Sequence, residues 1–349
     1  MKKTLVSLVL CLSLLGAMLT GCSSAKNDTA KTPATNNNSS KEEKNESKNE
    51  SKDDKDSGSK QYRVAYIART QSDSFAAWLA NEMKAAAEKY DDITLDVFDG
   101  QADDEKENAA IENAITNGYD AIIVQPNNGE AQRPYVEKIV EAGIIAITTN
   151  ARIDGIEGAS SVDADPYKQA AVNAELALEQ IPENGKVVVL NGPSGNFHAD
   201  ERRKAWQAEF FDKRPDVTIV AEDIAHWNKD EAMAFMEDWV TAHGQIDAII
   251  SMNDNMAAGA LEIVQDYSKI LSYGVDGTAE ACLLIQEGKM TSTCLQSAID
   301  LAELNMETVH KLLTGEETKI DVDIEEVLIT KENAGDFVEM YKERGLIKE

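Results

Sequence analysis

The feature that most constrains the fold is an alternation, beyond Lys60, of short apolar runs with amphipathic stretches. Such runs are typical of strands buried on both faces, and the amphipathic stretches are typical of helices that cover a sheet. Strands that alternate with helices form parallel sheets, so we predict an α/β fold. The first series of predicted strands is Tyr62 to Ala68, Ile93 to Phe98, Ala121 to Gln125 and Ile144 to Thr149, with helices near 75–89, 104–117 and 130–142.

A second series of the same kind follows Val162. Its predicted strands are Val187 to Asn191, Val217 to Asp223, Ala248 to Met252, Ile270 to Val275 and Thr291 to Leu295. Two series predict two doubly wound parallel-sheet lobes, and the length of 349 residues agrees with two domains at roughly 150 residues each. Ligands of such sheets bind beyond the carboxyl ends of the strands, so we expect the functional residues just after each strand.

Side chains suited to hydroxyl groups follow the predicted strands of both series. The candidate ligand-binding residues are Asp73, Phe75, Asn150, Arg152, Asn196, His198, Arg202, Trp227, Asn253, Asp276 and Gln296. Carboxylates accept hydroxyl hydrogens, guanidinium groups donate several hydrogen bonds, and amides do both. Aromatic rings suit the C–H faces of a sugar. The pattern therefore predicts a site for a polyhydroxylated ring, in which Arg203 is a competing choice for the arginine.

The first 22 residues are predicted to be a cleaved targeting segment. Lys2 and Lys3 precede an apolar run, Leu5 to Leu19, that is short for a membrane span. The sequence Leu19-Thr20-Gly21-Cys22 resembles the bacterial lipobox, which implies a lipid on Cys22 and an outward-facing anchor in the cell membrane. The alternative is an ordinary secretory signal in which Cys22 has no role.

Residues 23–60 contain no Val, Ile, Leu, Met or aromatic residue. A stretch of that composition cannot form a core, so we predict a disordered tether. It would hold the folded body away from the membrane.

Charge and composition exclude several functional classes. The formal net charge of −29 opposes binding to a phosphate backbone, so no nucleic acid partner is expected. The sequence has no CxxC, Walker A, GxSxG or HExxH motif, so we predict no metal site, no cofactor and no catalytic residue. Cys282 and Cys294 are predicted to be reduced core residues, with a disulfide as the alternative.

Two segments carry a resemblance to a known family. They are Ser251-Met252-Asn253-Asp254-Asn255-Met256-Ala257-Ala258-Gly259-Ala260-Leu261 and Tyr273-Gly274-Val275-Asp276-Gly277. From about residue 62 to 330 the chain resembles the type I periplasmic sugar-binding proteins, especially their galactose/glucose- and ribose-binding members. In the galactose/glucose-binding members an aromatic residue from each lobe holds the sugar, and Phe75 and Trp227 match those positions.

The resemblance also implies an organisation and a mechanism. The amino-terminal lobe would comprise 61–163 plus 297–323 and the carboxyl-terminal lobe 164–296 plus 324–349. A three-strand hinge would join them near Val162 to Asp165, near Gln296 and near Asp323 to Glu325. The implied function is capture of a monosaccharide or related polyol by a monomeric, lipid-anchored protein and its delivery to an ABC transporter permease.

The identity of the sugar is less constrained. Asn196 and His198 replace the histidine and aspartate of galactose/glucose binders, and Ala76 replaces the second aromatic residue of ribose binders. These departures favour a hexopyranose such as galactose or glucose over a pentose, and they leave open another hexose, a deoxy- or amino-sugar, or an inositol.

Two other functions stay open from the sequence. One is a sensory ligand-binding subunit that presents the same sugar or polyol to a membrane receptor. The other is a doubly wound enzyme in which Gly192-Pro193-Ser194-Gly195 would bind phosphate.

Overall fold

A computed structural model describes residues 60–347. The predictions for Cys22, for the targeting segment and for nearly all of the tether lie outside the described residues. The described chain contains two six-stranded sheets, each with helices packed on it. The predicted α/β class with two doubly wound lobes is thereby confirmed.

The first sheet has the strand order β11-β5-β4-β3-β1-β2, and all of its pairs are parallel. Its strands are β1 (Tyr62–Ala68), β2 (Ile93–Asp99), β3 (Ala121–Val124), β4 (Ile145–Thr149), β5 (Ala159–Ala164) and β11 (Asp321–Ile324). Helices α1 (Ser74–Ala87), α2 (Asp104–Thr116), α3 (Gly129–Glu141) and α9 (Ala298–Thr314) pack with this sheet. We call this assembly the amino-terminal lobe.

The second sheet has the order β12-β10-β9-β8-β6-β7. Its strands are β6 (Lys186–Asn191), β7 (Thr218–Ile224), β8 (Ala248–Ser251), β9 (Leu271–Asp276), β10 (Ser292–Leu295) and β12 (Val327–Ile329). Its helices are α4 (Pro166–Gln180), α5 (Phe197–Trp206), α6 (Lys229–His243), α7 (Asp254–Glu262), α8 (Ala279–Gln286) and α10 (Ala334–Glu343). We call this assembly the carboxyl-terminal lobe.

Both lobes follow from the apolar runs that suggested them. In β1, Val64 and Tyr66 face one hydrophobic core while Ala65 and Ile67 face another, and all four are fully buried. A strand buried on both faces needs helices above and below it, which the alternating sequence supplies. The sequence did not predict β12, a strand of three residues that pairs antiparallel with β10 at the sheet edge.

The chain passes between the lobes three times. It crosses after β5, between β10 and α9, and between β11 and β12. These are the places at which the resemblance put the hinge. Each crossing is short, since only Gln296 and Ser297 separate β10 from α9 and only Glu325 and Glu326 separate β11 from β12.

Candidate functional site

One buried cavity lies where the carboxyl ends of the two sheets face each other. About 330 Å³ of empty space lies among its lining side chains. The residues that line it are Arg69, Asp73, Phe75, Asn150, Asn196, His198, Arg202, Trp227, Asn253, Asp276 and Gln296. Ten of the predicted site residues are thus brought together, and Arg69 is the lining residue that the sequence analysis missed.

Helix N-termini place several of these side chains. Asp73, Asn196 and Asn253 are the N-cap residues of α1, α5 and α7, and each side chain accepts hydrogen bonds from the first turn of its helix. In a parallel α/β unit the helix starts where the strand before it ends, so capping residues collect at the same edge as the ligand site. The caps and the cavity wall are therefore the same residues.

The amino-terminal wall is held by a local ion pair. The Arg69 guanidinium pairs with the Asp73 carboxylate four residues later, and both side chains are largely buried. The other Asp73 oxygen accepts a hydrogen bond of 2.8 Å from the Ala76 backbone N–H. Both charges are therefore balanced within this wall. Phe75 beside them is 6% exposed, and its ring meets the edge of the Trp78 ring at 6.0 Å.

Asn150 also belongs to this wall and has an unusual backbone, with a φ of +43°. Asparagine tolerates the left-handed region better than most residues do. The Asn150 Oδ1 atom accepts a hydrogen bond of 2.8 Å from Gln125 Nε2. Its Nδ2 atom is buried and has no hydrogen-bond partner within residues 60–347.

The centre of the carboxyl-terminal wall is Arg202, which is 2% exposed. Its Nη1 atom donates to the Met252 carbonyl at 2.7 Å, and its Nη2 atom donates to Gln169 Oε1 and Gln296 Oε1 at 2.9 Å each. Arg203, the competing candidate, lies on the surface side and pairs with Glu222 at 2.7 Å. Arg202 is therefore the arginine of the cavity.

Asp276 faces Arg202 across 3.8 Å, measured from Oδ1 to Nη1. Burial raises the pKa of this carboxyl well above its usual range, and the Arg202 charge opposes that shift. The backbone φ of Asp276 is +124°, a conformation that costs of the order of 1–3 kcal/mol and is concentrated at functional sites.

Trp227 completes the carboxyl-terminal wall and is 6% exposed. Its backbone φ is +61°, and its ring lies within 5.8 Å of the Arg202 guanidinium. A Cβ atom at Gly192 would lie 2.2 Å from the indole ring, so only glycine leaves room for it. This contact gives the glycine-rich segment 192–195 a role other than phosphate binding.

His198 is tied to the hinge. Its Nε2 atom lies 2.8 Å from the Asp163 carboxylate, and its Nδ1 atom lies 3.3 Å from Arg202 Nη2. Because a guanidinium only donates, Nδ1 acts as the acceptor and the ring proton sits on Nε2, which donates to Asp163. His198 therefore links the two lobes. The sequence analysis did not single out Asp163.

Arg152 lies outside the cavity. Its guanidinium pairs with Asp323 at 3.0 Å and with Asp154 at 3.4 Å, and it lies 5.3 Å from the centre of the Phe197 ring. The expectation that Arg152 lines the site is thus not met, because the acidic residues of the adjoining loop and of β11 hold its charge.

The remaining expectations concern metals, membranes and cysteines. Residues 60–347 contain no cluster of three or more His, Cys, Asp or Glu side chains that could hold a metal ion, and no helix there has the length and apolarity to cross a membrane. Cys282 and Cys294 are free and buried, so both lie in the core as predicted, and their redox state stays a prediction. Burial raises the pKa of Cys294 to about 12.

Comparison with known proteins gives a consistent result. The family model for the periplasmic binding protein domain matches residues 64–317. The chain is 28% identical over 226 residues to a xylitol-binding protein of Mycolicibacterium smegmatis, an alignment that covers 64% of each protein. It is also 28% identical over 280 residues to a putative rhizopine-binding protein of Rhizobium meliloti, covering 76% of this chain and 89% of that protein.

A solved structure extends the comparison. The myo-inositol binding protein of Caulobacter, with myo-inositol bound, superposes with a TM-score of 0.76 at 25% identity. The match covers 80% of this chain and 97% of that one. The similarity therefore extends over both lobes and the segments that join them.

Proposed function

The chain belongs to the periplasmic binding protein domain family, and from that premise we propose that it captures a monosaccharide or related polyol for an ABC transporter. The ligand proposed is a six-membered ring, either a hexopyranose such as galactose or glucose, or a cyclitol. The observation that carries the proposal is the cavity itself. Polar and aromatic side chains from both lobes surround this space.

The chemistry of the wall suits hydroxyl groups. It offers amides, two arginines, two carboxylates and one aromatic ring from each lobe, which together can pair with the donors and acceptors of a polyol. The relatives named above support this, since they are a xylitol-binding protein, a putative rhizopine-binding protein and a myo-inositol binding protein. No side chain in this wall is arranged as an activated nucleophile, so binding without turnover is the function proposed.

Ligand capture requires that the lobes separate and close. The cavity-lining residues are mostly less than a tenth exposed, so a ligand enters only when the lobes move apart about the three crossings. Closure brings together contacts that each lobe lacks alone, such as Trp78 against Tyr341 at 5.5 Å and Arg344 with Glu82 at 3.3 Å. A ligand that touches both walls favours this closed arrangement, which a permease can then recognise.

The proposal includes a location and an assembly state. A lipid on Cys22, implied by the lipobox resemblance, would anchor a monomer to the outer face of the cell membrane. Mass spectrometry of the mature protein tests the anchor, and Cys22→Ala should release the protein. An unlipidated chain that starts elsewhere contradicts the anchor and leaves the binding proposal intact.

The test of binding is a thermal-shift screen followed by calorimetry on the purified protein. The panel contains galactose, glucose, ribose, xylitol and myo-inositol, because any ligand that binds only the folded state raises the melting temperature. We expect a six-membered ring to bind most tightly and to be recovered unchanged. Ribose binding tenfold tighter than every six-membered ring contradicts the proposed ring size, and steady formation of a new product contradicts binding without turnover.

A further inference from the structure

Four amide side chains line the cavity, namely Asn150, Asn196, Asn253 and Gln296. A primary amide presents an oxygen that accepts and an NH₂ group that donates, so its orientation decides what a ligand meets. In all four, the oxygen is already occupied by a donor of the protein itself. In three of them, Asn150, Asn253 and Gln296, the NH₂ group is therefore the part left for the cavity.

The orientation of Asn150 is fixed by a relay that starts at the backbone. The Arg69 backbone N–H can only donate, and it donates to Gln125 Oε1 at 3.2 Å, where the Tyr66 hydroxyl also donates at 3.0 Å. Gln125 must then direct its NH₂ group at Asn150, and it donates to Asn150 Oδ1 at 2.8 Å. This leaves Asn150 Nδ2 as the buried donor with no partner in the described part of the chain.

Gln296 is fixed in the same way from the other lobe. Arg202 Nη2 can only donate, and it donates to the oxygen atoms of both Gln169 and Gln296 at 2.9 Å. The NH₂ group of Gln169 donates to Gln296 Oε1 as well, at 3.1 Å. Two donors thus hold one Gln296 oxygen, and its NH₂ group is left for the cavity.

The rest of the wall repeats this polarity. Asn253 Oδ1 accepts from the Met256 backbone N–H at 3.0 Å, so its NH₂ group is left over. Arg202 Nε is a further buried donor without a partner among residues 60–347. Asn196 is the exception, because its NH₂ group donates to the Asn127 carbonyl at 3.2 Å.

Acceptors are scarcer in the wall than donors. Both Asp73 oxygens are engaged, by Arg69 and by the α1 backbone. Asp276 is the carboxylate with capacity to spare, since its contact with Arg202 is 3.8 Å long. A ligand group that can only donate therefore has one favourable place in the cavity.

We infer that this cavity selects neutral, acceptor-rich polyols over ammonium-bearing sugars and cyclitols, and that Gln125 and Gln169 are positioning residues that set this polarity. The inference rests on the proposed function and deepens it. A hydroxyl can accept from an amide NH₂ and donate elsewhere, whereas an ammonium group has three donors and no acceptor. An ammonium group opposite Asn150, Asn253 or Gln296 leaves donors facing donors.

Two matched ligand pairs test the polarity by calorimetry at pH 7. The first is scyllo-inositol with streptamine, in which two of six equatorial hydroxyls are replaced by amino groups. The second is D-glucose with D-glucosamine. We expect the neutral member of each pair to bind at least tenfold more tightly. In streptamine, the single free carboxylate can serve only one of the two ammonium groups.

Two variants test the relay. Asn150→Asp replaces the cavity-facing NH₂ by a carboxylate oxygen of the same size, and it should narrow the neutral-to-amino affinity ratio at least tenfold. Gln125→Glu, once ionised, cannot donate to Asn150 Oδ1. The Asn150 amide must then rotate by about 180° to place its NH₂ group toward the new carboxylate, and the neutral-to-amino affinity ratio should narrow as well. Gln132→Glu is the matched control, because Gln132 is a fully buried glutamine of the same lobe that does not line the cavity; its ratio should equal that of the wild type.

The outcomes separate the inference from the proposal beneath it. Equal affinity for both members of a pair in the wild type overturns the polarity assignment while polyol binding stands. If Gln125→Glu weakens binding of both members of a pair by the same factor, the positioning role is overturned. If Gln125→Glu does not fold, Asn150→Asp decides the case. Failure of scyllo-inositol, D-glucose and every other neutral polyol to bind refutes the proposed function itself.

Discussion

The two walls of the cavity are built in different ways. The amino-terminal wall consists of local contacts, of which the pair formed by Arg69 and Asp73, four residues apart, is the clearest. In the carboxyl-terminal wall, Arg202 of α5 connects α4, the end of β8 and the second crossing through Gln169, Met252 and Gln296. Seven of the eleven lining residues end or follow strands of the carboxyl-terminal sheet, and four follow those of the other.

The two walls therefore differ in how firmly their shape is held when the lobes move apart. The carboxyl-terminal wall is linked across its sheet, so it keeps its geometry when the lobes part. The local pairs of the amino-terminal wall move with the helix that carries them. We therefore expect substitutions in the carboxyl-terminal wall to cost more, both in stability and in affinity, than matched substitutions opposite. The following predictions test that asymmetry.

The largest effect is expected for Arg202→Met. It removes the donor that satisfies Met252, Gln169 and Gln296 and leaves buried acceptors unpaired. Removing one member of a buried charged network typically costs about 3–5 kcal/mol. Urea unfolding should show a loss of that order, accompanied by loss of ligand binding.

The neighbouring arginine provides the control. Arg203 pairs with Glu222 at the surface, so Arg203→Met should change the free energy of unfolding by about 1 kcal/mol or less. Equal losses for Arg202→Met and Arg203→Met would contradict the central role given to Arg202.

Asp276→Asn should weaken polyol binding about ten- to hundredfold. It removes charge-assisted hydrogen bonds worth about 1.5–3 kcal/mol each, and asparagine tolerates the positive φ at this position. Asp73→Asn is the matched change in the other wall and should cost less, because Asp73 is occupied by Arg69 and the helix backbone. Calorimetry that ranks Asp73→Asn as the costlier change would reverse the asymmetry.

Trp227→Ala should weaken binding about tenfold by removing the aromatic face of the carboxyl-terminal wall, a loss of about 1.4 kcal/mol. Gly192→Ala should reproduce much of this loss while Trp227 itself is kept, since the new Cβ would lie 2.2 Å from the indole and must displace it. Phe75→Ala is the matched change in the amino-terminal wall, and by the asymmetry stated above it should weaken binding less than Trp227→Ala does. If Gly192→Ala keeps wild-type affinity, the ring does not need its present position for binding.

The last effect concerns pH and the buried carboxyls of the two lobes. Burial raises the pKa of Glu107 in the amino-terminal lobe to about 8, and that of Asp254 in the carboxyl-terminal lobe to about 7. The folded chain then keeps protons that the unfolded chain releases, so stability should fall as pH rises from about 4 toward 8. At about 1.4 kcal/mol per pKa unit, a shift of this size in either group corresponds to a loss of several kcal/mol across the window, measured without ligand.

Two variants assign that pH dependence. Glu107→Gln removes the carboxyl that titrates, so the stability profile should become flat up to about pH 8. The glutamine oxygen still accepts from the Asn127 backbone N–H, so this contact is kept. Asp254→Asn should flatten it only up to about pH 7. A melting temperature that rises with pH over this range would contradict both assignments.

The sequence predicted the strands well because apolar runs and periodicity report burial directly. It also predicted the lining residues that follow strands, such as Asn253 and Asp276. It missed Arg69, because an arginine directly after a strand is commonly a surface charge. Nothing in its sequence shows that its guanidinium turns back to Asp73.

Buried supporting residues were the harder class. Gln125 ends an apolar run and Gln169 sits within an amphipathic helix, so neither stands out until the distances to Asn150 and Gln296 are known. Arg152 follows a strand as the lining residues do, but its guanidinium pairs with Asp323 outside the cavity. That residue lies 171 positions away along the chain, a pairing that only the fold reveals.

The last crossing has a consequence for how the protein can be made. The edge strands β11 and β12 lie within residues 321–329, one in each sheet, and helix α9 of the amino-terminal lobe comes just before them. During synthesis neither sheet can be completed until this late segment has emerged, although most of both lobes precedes it. A stop codon before Asp321 would therefore strip an outer strand from two lobes at once, and no single cut in the gene releases either lobe intact.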